Sequence, residues 1–192
     1  MWRRTICLIL LCMSLSACLS DVWTGANIVY DRHSWYRKLN DWQLTTEVKQ
    51  ALYEEESIKC DTCAVEFAIF NRDILVVGRV PSQSVRRKVS ERLRPLHNKR
   101  HLYNELVVTT EPGDAITDTW ITTKIRSEIL TDSSINPKQF KVVTMDGVVY
   151  LMGDVIPEQA EKVVMYARQW SEVRRVVKLF QYYHLSRHAV SE

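Results

Sequence analysis

Glycine and proline are scarce, five of each in 192 residues. That scarcity excludes a collagen-like, fibrous or low-complexity polypeptide. An excess of charge of one sign is also nearly absent, with 26 Lys and Arg against 23 Asp and Glu. The net value is +3, and Arg3 and Arg4 lie in a leader-like segment, so the bulk charge leaves no footprint for nucleic acid. The basic runs Arg86–Lys88 and Arg174–Arg175 are short, are offset by Glu91 and Glu172, and read as solvated faces. No GxGxxG and no Walker loop occur. His33, His97, His101, His184 and His188 are scattered through loops and the tail. The "HNKRH" run has no carboxylate or Cys partner at a metal-ligand spacing and reads as a solvated turn. With no nucleophile-and-base set, no metal site and no cofactor implied, the chain is expected not to be an enzyme. Beyond residue 18 no stretch is long and apolar enough to span a bilayer.

What is present begins at the first residue. "MWRR" is a short positive region, and "TICLILLCMSLSA" is an apolar run of signal-peptide length. It ends in "LSAC", Leu15 to Cys18, which resembles the bacterial lipobox, whose Cys becomes the lipidated first residue of the mature chain. Leu at position 19, where Asp would redirect sorting, points to the outer membrane. Residues 1–18 are therefore expected to be a lipoprotein signal, with a covalent lipid anchor (palmitate-type acyl) on Cys18.

Cys7 and Cys12 would leave with that signal, so Cys60 and Cys63 in "CDTC" are the cysteines of the mature chain outside the lipobox. An oxidising periplasm permits them to pair. A redox CxxC usually opens a helix after a buried strand, where the helix terminus lowers the thiol pKa. This one lies in a polar connection ahead of a strand, so a structural disulfide or an idle pair is favoured over thiol exchange.

The chain repeats itself. "DWQLTTEVKQALY" (Asp41–Tyr53) aligns with "DTWITTKIRSEIL" (Asp118–Leu130): Asp41 with Asp118, Thr45 and Thr46 with Thr122 and Thr123, and Leu44, Val48 and Leu52 with Ile121, Ile125 and Ile129. "NRDILVVGRV" then aligns with "DGVVYLMGDV". Each copy opens with a helix whose apolar residues recur at i, i+4 and i+8. Two strands follow, "VEFAIF" and "ILVVGRV" in the first copy, "FKVVTM" and "VVYLMGDV" in the second. Asp146–Gly147 is a hairpin signal. Gly78 and Gly153 are expected to mark a bulge or a close helix approach. A second helix runs through about Ser82–Leu96 or Pro157–Trp170, and a last strand, "LYNELVVTT" or "VRRVVKLFQYY", closes the copy. A crossover helix makes that strand parallel to the one before it, by a right-handed connection. The expected fold class is α+β, αββαβ in each copy, with "EPGD" (Glu111–Asp114) as linker.

On these residues the pattern resembles the BON domain (bacterial OsmY and nodulation). The lipobox followed by two copies resembles the DolP/YraP family of dual BON-domain outer-membrane lipoproteins. The likeness spans the lipobox and about Asp41 to Tyr183. It is closest in the second copy, in "DTWITTK", "LMG" and "VRRV"; the segment Leu19–Asn40 is unlike the family. The resemblance implies two tandem BON-like sandwiches, each a small three-stranded mixed sheet covered by two helices. The expected spans are a tether at 19–40, domain 1 at 41–110, a linker at 111–114, domain 2 at 115–183 and a tail at 184–192. The tether reaches at most roughly 70 Å when extended.

The outward face of the second copy's first helix stands out. At about 100° per residue, with Ile121 at zero, Ile125 and Ile129 fall near 40° and 80° while Trp120, Ser127 and Leu130 fall near −100°, −120° and 180°. Tryptophan and leucine therefore face away from the sheet, flanked by Lys124 and Arg126, the makeup of an interfacial helix. In the first copy Gln43, Glu47, Gln50 and Tyr53 stand at the positions of Trp120, Lys124, Ser127 and Leu130, so that helix is expected to bind anionic lipid poorly. The family resemblance implies that the second domain binds anionic phospholipid through this helix, with Trp120, Ile125, Ser127 and Leu130 as contacts; Lys124 and Arg126 are added on electrostatic grounds. It further implies a lipid-anchored protein on the periplasmic side of the outer membrane that supports envelope integrity near cell-division or outer-membrane assembly sites. The competing expectation is an interaction scaffold that offers the same face to an assembly or division protein.

Overall fold

The computed structural model describes residues 32–183. The signal-like segment, Cys18, most of the expected tether and the tail with His184 and His188 lie outside them. The first unit runs α1 (Arg32–Tyr53), β1 (Ala64–Phe70), β2 (Asp73–Val80), α2 (Gln83–Leu93), β3 (His101–Asn104) and β4 (Val107–Val108). The second runs α3 (Ala115–Thr131), β5 (Phe140–Met145), β6 (Val148–Val155), α4 (Pro157–Arg168) and β7 (Arg175–Tyr182). The order helix, hairpin, helix, strand thus recurs. Helix α1 begins at Arg32, inside the segment expected to be a tether. The linker is not idle either: the Asp114 carboxylate caps α3 by accepting from the amide and hydroxyl of Thr117.

In each unit the hairpin is antiparallel and the strand after the crossover helix is parallel, giving sheet orders β1-β2-β3 and β5-β6-β7. The expected single last strand of the first unit is broken. Leu106 turns in and is buried, and β4 resumes the parallel pairing with β2. The glycine expectation needs correction. The ladders pass through Gly78 and Gly153 without a bulge. Gly78 sits at φ +121°, and a side chain there would strike the backbone of Ala64 on the neighbouring strand, not a helix.

Each hairpin turn has positive φ at both central residues, Asn71 and Arg72 in one and Asp146 and Gly147 in the other, the geometry that matches strand twist. The repeated aspartates hold these turns. Asp41 accepts from the amides of Asn71 and Arg72 at 2.8 and 2.7 Å. Asp118 accepts from those of Asp146 and Gly147 at 2.6 and 2.8 Å.

Each sheet packs one face on its own two helices. Leu44, Val48 and Leu52 of α1 meet Ile74, Val76, Val85 and Val89 in one core; Ile121, Ile125 and Ile129 of α3 meet Val149, Leu151 and Val163 in the other. A third core lies between the sheets, where Ala68, Leu75 and Val77 meet Tyr150, Met152 and Leu179. The two units therefore stack sheet on sheet within one compact body from Arg37 onward. Polar contacts rim this junction. Arg100 reaches both Asp73 and Asp154, Asn71 donates to Asp154 at 2.8 Å, and Arg79 pairs with Asp146. Cys60 and Cys63 form a disulfide, with Cα atoms 5.1 Å apart, in the polar connection before β1.

Candidate functional site: the outward face of α3

Ile121, Ile125 and Ile129 of α3 are buried, so the opposite side of the helix faces out. Along it run Ile116, Trp120, Thr123, Ser127 and Leu130, spaced i, i+4, i+7, i+11 and i+14, all exposed. Ile116 is 85% exposed and Leu130 69%. Trp120 is 39% exposed. Part of its ring is covered by Trp170, which follows α4: the indoles meet edge to face at 5.2 Å. The Lys124 ammonium lies 5.5 Å from one ring centre and 5.6 Å from the other, within cation–π range of both. The face thus holds an aromatic pair with a cation over it, continued along the helix by aliphatic side chains. Edge-to-face packing fixes Trp120 against the fold, so its exposed edge is presented without the entropy loss of a free side chain.

Of the residues singled out from sequence, Trp120, Lys124, Ser127 and Leu130 share this surface. Arg126 is also exposed, but its guanidinium leans round the helix and donates to the Val142 carbonyl on β5 at 3.0 Å. Ile125 is corrected. It is 0% exposed, inside the helix–sheet core, because its i+4 spacing from Ile121 puts it on the buried stripe. In this conformation it cannot reach an external ligand. Two residues were missed. Ile116 was legible, four positions before Trp120 on the same face. Trp170 carried no local signal: only the return of the chain after α4 brings it to α3.

No carboxylate joins the stripe. The acid at Asp118 is buried under the hairpin turn, and Glu128 accepts from Gln169 at 3.3 Å on the helix flank. Among the described residues no group of three or more His, Cys, Asp or Glu converges as a metal site, and no helix is long and apolar enough to cross a membrane. Of the "HNKRH" run, the His101 ring contacts Asp73 at 2.8 Å and serves the sheet junction.

Residues 117–182 match the model of the BON domain. The second unit is similar to a BON domain along its length. The matched span opens in the first turn of α3 and closes at the last residue of β7, so the family's unit and the αββαβ unit coincide. Over 174 residues, 88% of this chain and 90% of the other, the chain is 27% identical to the outer membrane lipoprotein DolP of Haemophilus influenzae. It is also 27% identical over 147 residues to a 21 kDa hemolysin of Actinobacillus pleuropneumoniae, covering 76% of this chain and 75% of that one. Both alignments are longer than the BON match and run beyond it. Among solved structures, the C-terminal domain of CdsD, a type III secretion protein of Chlamydia trachomatis, covers 71% of this chain and 96% of its own. Its TM-score is 0.29 at 9% identity, which carries no structural argument.

Proposed function

We propose that this chain is an outer-membrane lipoprotein, anchored through Cys18 and built of two BON-type units at about 41–110 and 115–183. In this reading α3 lays its outward face on an anionic phospholipid surface and so supports envelope integrity. The observation that carries it is the exposed row Ile116, Trp120 and Leu130 beside Lys124 on a helix whose other side is committed to the core. Indole suits the boundary between hydrocarbon and headgroups. Partial burial of the row contributes at most about 2 kcal/mol per large side chain, and each nearby cation about 1 kcal/mol. Such binding is weak alone and effective when a lipid anchor already holds the chain at the membrane. The similarity to a protein named an outer membrane lipoprotein supports the compartment.

The test is vesicle sedimentation of a soluble form starting after Cys18. Trp120→Glu is expected to abolish binding to vesicles containing anionic lipid while leaving the circular dichroism melt unchanged. If the folded variant pellets like the parent, the lipid reading is wrong. Loss of a protein partner without any vesicle binding by the parent would favour the scaffold reading, with Trp120 as a hot spot.

A further inference from the structure

Beside the C-terminal half of α3 lies a depression of about 340 Å³, walled by α3, by β5 and by the end of β1 from the first unit. Its apolar lining includes Phe70, Leu130, Pro137 and Phe140, and its charged members are Arg126 and Lys141. No carboxylate lines it. Neither cation enters an ion pair with a described acid. Lys141 donates to the Ile69 carbonyl at 3.3 Å, and Arg126 to the Val142 carbonyl at 3.0 Å. Asp41 is the acid that Lys141 feels most, but its two oxygens are taken by the amides of the Asn71–Arg72 turn.

This arrangement is costly in the free protein. Burial, and then the neighbouring Arg126 guanidinium, push the Lys141 ammonium below the ordinary lysine range. A half-buried ammonium with an exposed guanidinium of like charge beside it is relieved by an anion. The same two cations also border a larger depression of about 520 Å³ on their other side. There Glu66, Asp118 and Asp146 are also present, and acids disfavour an incoming anion. The smaller side pairs cations with an acid-free greasy wall, and Leu130 joins it to the exposed face of α3.

We infer that Arg126 and Lys141 form a phosphate site, and that the phosphate arrives on an apolar body, as the headgroup of an anionic phospholipid whose glycerol and first acyl carbons rest on Phe70, Leu130, Pro137 and Phe140. The inference rests on the membrane-facing reading of α3 and gives that surface its headgroup selectivity. Guanidinium supplies a planar fork for phosphate and ammonium a point charge. Because Phe70 belongs to the first unit, the site is composite: the second unit alone lacks one wall.

The test uses the same soluble form, with vesicles of phosphatidylcholine alone or with added phosphatidylglycerol. Lys141→Gln and Arg126→Gln are each expected to weaken binding to the mixed vesicles about five- to tenfold, leaving residual binding to neutral vesicles unchanged, whereas Lys141→Arg restores it. A short-chain soluble phosphatidylglycerol should shift the amide resonances of Lys141 and Val142 at concentrations where inorganic phosphate does not. Equal shifts by inorganic phosphate would overturn the amphiphile and leave a plain anion site. If both Gln variants bind mixed vesicles like the parent while Trp120→Glu does not, the face stands and the phosphate site falls. If Lys141→Gln loses binding and Trp120→Glu keeps it, the site stands and the face falls. Unchanged melting of each variant separates lost binding from lost fold.

Discussion

Helices α1 and α3 hold the same place in their units, yet their large apolar residues agree only on the inner sides. Leu44, Val48 and Leu52 stand where Ile121, Ile125 and Ile129 stand, all buried. The outer sides have diverged. On α3 the exposed apolar residues form one row, with a cation clasped between two indoles. On α1 the carboxylate of Glu47 accepts from Gln43, and that of Glu54 from Gln50, so amides and acids pair along the helix surface. Even so, α1 is not bare. Leu39, Trp42 and Tyr53 are exposed, Trp42 by 71%. Gln43 occupies the position of Trp120, and the tryptophan of α1 stands one residue earlier, on a different part of the helix circumference. Packing fixes the inner stripe in both copies, while the outer stripe is free to acquire separate work.

The largest expected difference between the units concerns the two turn-holding aspartates. Asp118→Ala leaves two turn amides, one of them buried, without their charged acceptor. It should cost about 3 kcal/mol in urea unfolding, since charge-assisted hydrogen bonds are worth roughly 1.5–3 kcal/mol each. Asp41 makes the same pair of bonds at a wetter turn, where water replaces a lost acceptor, so Asp41→Ala should cost about half as much. Equal losses would mean that burial does not set the value of this contact.

The aspartates also show where the sequence was legible. Their recurrence marked the repeat, but their task could not be read, because the acceptors' partners lie about thirty residues on, in a turn whose tightness appears only after the hairpin folds. The αββαβ order followed from period and turn chemistry. The stacking of the two sheets did not, although the continuous runs "ILVV" and "VVYLM" are what strands buried on both faces look like. The outward half of α3 was legible from angle alone. Trp170 and Lys141 were not, since each reaches the site from a different element. Ile125 was misplaced where a family's contact set overruled the helical wheel.

A smaller effect is expected when the two tryptophans are compared directly. Trp120→Ala should weaken binding to anionic vesicles about tenfold, roughly 1.4 kcal/mol. Trp42→Ala should change it less than about twofold, because α1 offers Glu47 where α3 offers Lys124 and an acid near an anionic surface is repelled. Sedimentation of both variants at one lipid concentration series decides this. Equal losses would make α1 a second contact face and end the division of labour.

The smallest effect lies just past the ends of these helices, where each unit places an acid two residues before a serine. Glu55 accepts from the amide and hydroxyl of Ser57, and Asp132 from those of Ser134. The Ser57 hydroxyl first, then Arg92, hold the Glu55 carboxyl down to about 2. The Ser134 hydroxyl and amide, then the Tyr166 hydroxyl, hold Asp132 well below the usual carboxylate range. Both folded values lie under the unfolded ones, so both acids stabilise the fold above about pH 4 and lose that contribution as pH falls towards 2. Glu55→Gln and Asp132→Asn should each lower the neutral plateau and so flatten the acid side of the stability profile, leaving stability near pH 2 almost unchanged. Salt separates the two. Arg92 lies 3.0 Å from Glu55 with Lys88 at 4.0 Å, whereas the close partners of Asp132 are neutral hydroxyls, Tyr166 at 2.8 Å, with Lys162 at 3.5 Å. Screening weakens ion pairs more than hydrogen bonds to neutral donors. Raising salt to about 1 M should therefore shrink the acid-side contribution of Glu55 and leave most of that of Asp132, measured as urea midpoints across pH 2 to 6. Equal salt sensitivity would mean that the serine turn, common to both units, carries the effect and that the divergent helix partners add nothing.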